Sequence, residues 1–354
     1  MRIAVLSNLK QNAPAAAAPE SWAELDSLHT VSTIVEVLGR AGHVAEFFEG
    51  NLELVQVLPR FRPDLCFNLC EGHFGESRES HVPALLELLR LPYTGSGVLA
   101  LALTLDKALT KRVLGLSGLT TPPFQVFERV DEVLDPDLRF PLFVKPVHEG
   151  SGIGVARQSI VHDPAELLER VAWVLSTYRQ PALVERFIRG RELTIGVLGN
   201  RGMAASAPPR SPWQELRRVS GLVILPPYEV VLGTREGGVY THKLKSSAQD
   251  GWLADRDYRC PAPLSEELRQ RVEQLAAAAF LHTGCRDFCR IDLRLDEDDQ
   301  DDPLRPYLLE VNALPGLAPG WSDLCFEAAA AGLSYEELIL GILAQATRRL
   351  GLDS

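Results

Sequence analysis

The chain has 354 residues, 46% of them hydrophobic and 23% charged, which excludes a wholly disordered polypeptide and suits two or three packed domains. Its 36 basic and 47 acidic residues leave a formal charge of −11, arguing against a broad surface for nucleic acid or anionic membrane. That sum leaves room for a local basic pocket that holds a phosphate.

In chain order, residues 2–6 read as a buried strand and 13–18 as a small-residue loop. Apolar residues at helical spacing predict a helix over 22–42, with strands following at 44–48 and 65–69 and a helix at 82–89. This alternation indicates a parallel α/β unit. No Gly-x-Gly-x-x-Gly follows the first strand, which argues against a dinucleotide-binding domain. A second, α+β unit reads as a helix at 111–116, a strand at 140–146, a glycine-rich loop, a helix at 165–176 and a strand at 182–187. Residues 204–263 read as a long irregular stretch, of the kind that forms functional lids. A helix at 265–283, capped by Ser265, strands at 288–295 and 307–312 and a helix at 335–349 complete the chain. The acidic run 296–302 reads as a solvated turn joining the last two strands.

The first residues are too short an apolar run for a secretory signal, and no stretch of about 18 apolar residues predicts a membrane span. Six cysteines do not make a disulfide scaffold. Cys66/Cys70 and Cys285/Cys289 match no common zinc spacing, so reduced thiols in a cytoplasmic protein are expected, with a metal site as the alternative.

Three clusters carry chemistry. Arg290 and Asp292 lie on one face of a strand, as do Glu310 and Asn312 on the next, because strand side chains alternate. Paired as a hairpin, they bring two carboxylates and an amide together, an oxygen set that suits Mg²⁺. The alternative is a salt-bridge ladder with Arg290 and Arg294. Lys145 at a strand end, followed by Glu149-Gly-Ser151-Gly-Ile-Gly, can wrap a phosphate with backbone N–H groups, or can form an ordinary hairpin turn. Glu185 ends an apolar strand, with Phe187, Ile188 and Glu192 beyond it. That segment offers an apolar slot and a carboxylate for a nucleoside, or a charged strand end.

In order, these clusters resemble the ATP-grasp superfamily, and within it the D-alanine–D-alanine ligases. The resemblance also takes in Glu71-Gly-His-Phe-Gly-Glu76, Leu91-Pro-Tyr-Thr-Gly-Ser-Gly97, Leu105-Asp-Lys107-Ala-Leu-Thr-Lys111, Leu309-Glu-Val-Asn312-Ala-Leu-Pro-Gly316 and residues 331–338. It implies an ATP-grasp fold of mixed α/β and α+β class. An N-terminal parallel α/β domain (1–104) would precede a small central lid domain (105–187) and a C-terminal α+β catalytic domain (188–354). It implies an ATP-dependent carboxylate–amine ligase acting through an acyl phosphate, with ATP and two Mg²⁺ ions. Lys107, Lys145 and Glu149 would lie at the phosphates, Glu185 at the adenine amino group beside Phe187 and Ile188, and Glu192 at the ribose. Asp292, Glu310 and Asn312 would hold the metal. Ser151, Arg290 and Lys243 would stand at the reacting centre, with 204–263 as a closing lid. The partners implied are small amino-acid or peptide substrates, without nucleic acid or membrane, and a homodimer is left open.

The chain departs from the family on the substrate side. Glu24 or Asp26 replaces the usual glutamate that binds the first amino acid's ammonium, and Glu71-Gly72 stands where His-Gly is usual. Ser77-Arg78 follows Glu76 in place of Asp-Gly, and Leu244 replaces a tyrosine. Near the acceptor carboxylate, Ser322 is followed by Asp323, whose charge repels a carboxylate and favours an amine. A ligase for other amino acids or peptides, and an ATP-binding regulatory protein without turnover, are the competing readings.

Overall fold

The computed structural model describes residues 1–15, 20–203, 213, 215–231 and 258–352. Strand β1 (Arg2–Ser7) is buried from Ile3 onward and pairs in parallel with β2 (Val44–Glu49) and β3 (Leu65–Leu69), giving the order β2-β1-β3. An unbroken apolar run is what a parallel strand covered on both faces requires. Helix α1 (Leu28–Arg40) starts six residues later than its periodicity predicts. Ser27 is its N-cap, accepting a 3.1 Å bond from the Thr30 N–H. Trp22 is instead held in a turn by a 2.7 Å bond from its indole N–H to the Pro14 carbonyl. Helices α2 (Leu54–Phe61), α3 (His81–Leu88) and α4 (Val98–Leu105) complete this unit.

Helix α5 (Lys107–Leu116) begins at an N-cap, Asp106, that accepts a 2.8 Å bond from the Leu109 N–H. A four-stranded antiparallel sheet follows, in the order β4-β7-β5-β6. It consists of β4 (Phe124–Phe127), β5 (Leu142–Pro146), β6 (Ile160–Val161) and β7 (Ala182–Arg186). Strand β5 starts two residues later than expected, because Pro141 has no N–H to give the ladder. Helix α6 (Pro164–Tyr178) packs on this sheet through Leu167, Val171 and Val174.

The remaining sheet is centred on β8 (Glu192–Gly199). On one side β8 pairs with β10 (Leu222–Ile224) and β11 (Tyr228–Val230), extended by β9 (Arg218–Val219) and β12 (Tyr258–Arg259). On the other it pairs with β13 (Asp287–Asp296), which pairs with β14 (Arg305–Asn312) as the expected hairpin. The described part of 204–263 thus contains four short strands and is not wholly irregular. The rest of the expected lid, with Lys243, lies outside the described residues. Helices α7 (Glu266–Thr283), α8 (Asp323–Ala330) and α9 (Tyr335–Leu350) cover this sheet, and α9 opens on a Ser334–Glu337 capping box. The acidic turn between β13 and β14 is paired rather than merely solvated: Asp298 meets Arg189, Asp299 meets Arg305 and Asp302 meets Arg271.

Buried Asp287 joins the first unit to the last. It accepts bonds from the Gly95 N–H at 2.8 Å, from Asn200 at 2.9 Å and from Arg349 at 2.8 and 3.0 Å. Arg349 also donates to the Tyr93 carbonyl at 2.9 Å. Residues 93–95, which run beside β3, are thereby held against the start of β13.

Candidate active site

The first cluster lies between the two antiparallel sheets. On β5 and β7 the register sets Lys145 opposite Leu183 and Phe143 opposite Glu185. Lys145 and Glu185 therefore share a face, one diagonal step apart. Glu185 Oε1 lies 2.8 Å from Lys145 Nζ, and its Oε2 lies 2.7 Å from Lys111 Nζ, which reaches in from α5. All three side chains are buried. Burial alone raises a carboxyl group, but the two ammonium groups prevail and hold Glu185 at about 2. Burial lowers Lys111 to about 8 despite Glu185. Burial also opposes the charge on Lys145, but Glu185 and Glu310 outweigh it and raise that lysine. Two ammonium groups and one carboxylate leave an excess positive charge at the head of an apolar slot. The slot is lined by Phe143, Ile153, Phe187 and Ile188, and the rings of Phe143 and Phe187 stack with centroids 6.1 Å apart. Glu192 lines it as well and is held 2.8 Å from Arg294, which also donates to the Ile188 carbonyl at 2.9 Å.

The second cluster stands on the hairpin. Asp292 and Glu310 are cross-strand partners, as are Arg290 and Asn312. Arg290 grips Asp292 with two bonds of 3.0 and 2.9 Å, and Asp323 lies 3.6 Å from its far nitrogen. Asn312 Nδ2 donates to Asp292 at 3.0 Å, and Thr194 donates to it at 2.6 Å. That bond leaves the Asn312 carbonyl oxygen as an acceptor. Glu310 lies 3.5 Å from Lys107 Nζ, which also donates to the Glu149 carbonyl. Two carboxylates and an amide oxygen form a hard, incomplete donor set. Such a set fits Mg²⁺, which keeps waters and takes further oxygens from phosphates.

Two cavities meet here. The smaller, about 90 Å³, is the slot described above, and Asp292 borders it. The larger, about 330 Å³, is lined by Arg290, Asn312, Ser151, Ser322 and Asp323 on one side and by Glu24, Asp26, Glu71 and Glu79 on the other. Lys107 and Glu310 line both. Ser151 stands at this junction with φ +50°, in a turn continued by Gly152 and Gly154 at +72° and +71°. Only glycine adopts those two angles freely, and a Cβ at Gly154 would meet the Pro146 ring at 2.6 Å.

Known proteins match this chain along nearly its whole length. The family model described as D-ala D-ala ligase C-terminus matches residues 113–215 and 220–344. The D-alanine–D-alanine ligase of Pelotomaculum thermopropionicum is 32% identical over 92% of this chain and 93% of its own length. That of Bordetella avium is 35% identical over 92% and 91%. The chain belongs to the D-alanine–D-alanine ligase family. It is an ATP-dependent ligase of mixed α/β, ATP-grasp architecture. An uncharacterized protein of Sinorhizobium fredii, y4sG, is 36% identical over 99% of this chain and 98% of its own length. The crystal structure of D-alanine–D-alanine ligase from Bacillus anthracis complexed with ATP superposes with a TM-score of 0.71. It covers both chains fully at 23% identity, a likeness of fold.

Within this family site, most of the residues expected from sequence come together. Lys107, Lys145, Glu149, Glu185, Phe187, Ile188, Glu192, Asp292 and Glu310 line the slot. Ser151, Arg290, Asn312, Ser322, Asp323, Glu24, Asp26 and Glu71 line the larger cavity. Glu185, expected at an adenine amino group, has both oxygens engaged by lysines. Glu149 is occupied by Gln180 at 2.7 Å and Arg78 at 3.3 Å. Ser322 accepts a 2.9 Å bond from the Ala318 N–H. Glu76 is exposed and lines neither cavity, whereas Glu79 lines the larger one. Sequence reasoning missed Lys111, Arg78 and Glu79 as site residues. For Lys111 a signal existed, since it follows Lys107 by four residues on one helix face. Arg78 lies within the loop after β3 and becomes legible only through its burial and its 2.8 Å pair with Glu24.

Proposed function

We propose that this ligase activates the carboxylate of one amino-acid-like substrate with ATP and joins it to the amine of a second. The reading is carried by one observation: the basic-headed slot and the larger cavity share Lys107 and Glu310 as a common wall. A phosphate chain running down the slot ends where a carboxylate in the cavity can reach its terminal phosphorus.

A free carboxylate is a poor acyl donor because oxide is a poor leaving group. Its oxygen attacks the γ-phosphorus and the bond to ADP breaks, giving an acyl phosphate. The second substrate's amine attacks the acyl carbon, loses a proton, and phosphate departs with the C–O bonding pair. In this reading Lys145 and Lys107 offset charge on the phosphates, with Lys111 holding Glu185 between the lysines. Phe187 and Ile188 give the base an apolar seat, and Glu192 takes the ribose hydroxyls. Glu149 fixes the turn that carries Ser151 to the reacting centre. Arg290, oriented by Asp292, faces the developing oxyanion, a role worth ~3 kcal/mol. Asp292, Glu310 and Asn312 would hold up to two Mg²⁺ ions, which when bound supply charge neutralisation at the transferring phosphoryl group. Lys243 and the segment around it would close over the centre and exclude the water that hydrolyses acyl phosphates.

The same reading divides the chain at 104/105 and 187/188 into substrate, lid and catalytic domains. It places the protein in the cytoplasm, supported by all six cysteines being free. D-alanine is one candidate substrate, and other amino acids or small peptides are the rest. Mg²⁺-dependent ADP release measured across a panel of amino acids tests the reading. Stimulation with formation of a peptide-type product is expected, and no stimulation by any carboxylate–amine pair overturns it.

A further inference from the structure

The larger cavity has an uneven charge balance. Where it meets the carboxyl ends of β1 and β3, its wall carries Glu24, Asp26, Glu71 and Glu79. Glu24 is satisfied by Arg78 at 2.8 Å, and Asp26 accepts a 2.7 Å bond from the Ser7 hydroxyl. Glu71 and Glu79 make no hydrogen bond or ion pair among the described residues. Glu79 is only 9% exposed, and that remnant opens into the cavity. Arg78 offsets part of the charge on both acids and Lys107 part of that on Glu79, but neither cation pairs with them directly. Lys107 is engaged by Glu310, Arg290 by Asp292 and Asp323, and Lys10 is exposed at the rim. Burial, reinforced by Glu24, raises both Glu71 and Glu79, and burial raises Asp26 to about 6. A buried carboxylate left without a partner is costly, and natural proteins keep such groups where a ligand completes them. These four acids do not form a group of three or more ligands disposed to hold a metal ion among the described residues, and the counter-charge an amino-acid-like substrate brings is an ammonium group.

We propose that one substrate of this ligase is a diamino carboxylic acid, whose second ammonium group is recognised by Glu79 with Glu71. The proposal rests on the ligase reading above and adds the chemistry of one substrate. An α-ammonium group needs one carboxylate, and Asp26 provides it. A neutral side chain such as a methyl group would leave buried Glu79 and half-buried Glu71 without an ion-pair partner. A second ammonium group satisfies them, and a cavity of about 330 Å³ has room for a side chain of a few carbons.

The test is Mg²⁺-dependent ADP release by the full chain with both enantiomers of alanine, 2,3-diaminopropionate, 2,4-diaminobutyrate, ornithine and lysine, singly and in pairs. A diamino acid is expected to give kcat/KM ~10-fold or more above alanine. Glu79→Gln is expected to collapse that ratio by ~10-fold, because the amide matches the shape but not the charge. Neutral amino acids serving as well as diamino acids, or an unchanged ratio in Glu79→Gln, would overturn the proposal and leave the ligase reading standing. If no amino acid of either kind releases ADP, the ligase reading fails, and this proposal with it. The panel on the unmodified protein decides the matter even if the variant does not fold.

Discussion

The two cavities that meet at Lys107 and Glu310 treat charge in opposite ways. In the slot, Glu185 is flanked by Lys111 and Lys145, Glu192 by Arg294, and Glu149 by Arg78 and Gln180. Each carboxylate there is matched before any ligand arrives. In the larger cavity, Glu79 is buried and Glu71 half-buried near Glu24, and neither has an ion-pair partner among the described residues. The slot is preorganised for its ligand, as sites that stabilise transferring phosphate must be. The cavity is incomplete, and its ligand supplies what is missing. The better-matched half is also the half that agrees with the family's motifs, whereas the departures gather in the unmatched half.

The contrast can be tested by unbalancing the matched half. Removing Glu185 leaves Lys111 and Lys145 buried side by side without their counter-ion. Glu185→Ala is expected to lose about 3–5 kcal/mol of stability, read by urea unfolding. The pH dependence has a definite sign. The folded-state carboxyl group sits near 2, below its ordinary value of 4.5. Its contribution is therefore complete above pH 4.5 and fades as pH falls towards 2. A loss below ~1 kcal/mol would show that the slot does not depend on this pairing.

At the shared wall, Asp292→Asn keeps the shape of the side chain and removes its charge. The variant would lose its ion pair with Arg290 and one proposed metal ligand. ADP release is expected to fall ~10²- to 10³-fold while the unfolding midpoint moves little. Near-normal turnover would remove Asp292 from the chemistry and leave it as a strut for Arg290.

The two halves also differed in how far they could be read from sequence. Strand alternation placed Arg290, Asp292, Glu310 and Asn312 on one surface, because period-2 geometry fixes side-chain direction once pairing is known. Helix α4, Val-Leu-Ala-Leu-Ala-Leu-Thr-Leu, escaped prediction because it is apolar on nearly every side and shows no period. Strands β9 to β12 escaped because segments of two or three residues carry no pattern. In the site, Glu76 and Glu79 are both acids in a polar loop. Only the three-dimensional path of that loop buries Glu79 and leaves Glu76 in solvent. The pairing of Glu185 with Lys111 was similarly hidden, since they lie 74 positions apart in sequence and on different elements.

The finest test of the contrast is the pH dependence of Glu79→Gln in the unliganded protein. Burial, then Glu24, raises the Glu79 carboxyl group from 4.5 to about 8. For a raised acid the sign is opposite to that of Glu185. The folded state binds the proton more tightly, so stability is complete below pH 4.5 and is lost as pH rises through about 8. Glutamine carries no charge to desolvate. The variant should match the parent near pH 4.5 and exceed it by ~1–3 kcal/mol near pH 9, measured by urea unfolding at each pH. A residue kept at a cost to stability while its replacement weakens substrate discrimination is what a binding group is expected to show. Were the difference flat with pH, Glu79 would have a counter-charge in the free protein, and the two cavities would be alike in their balance.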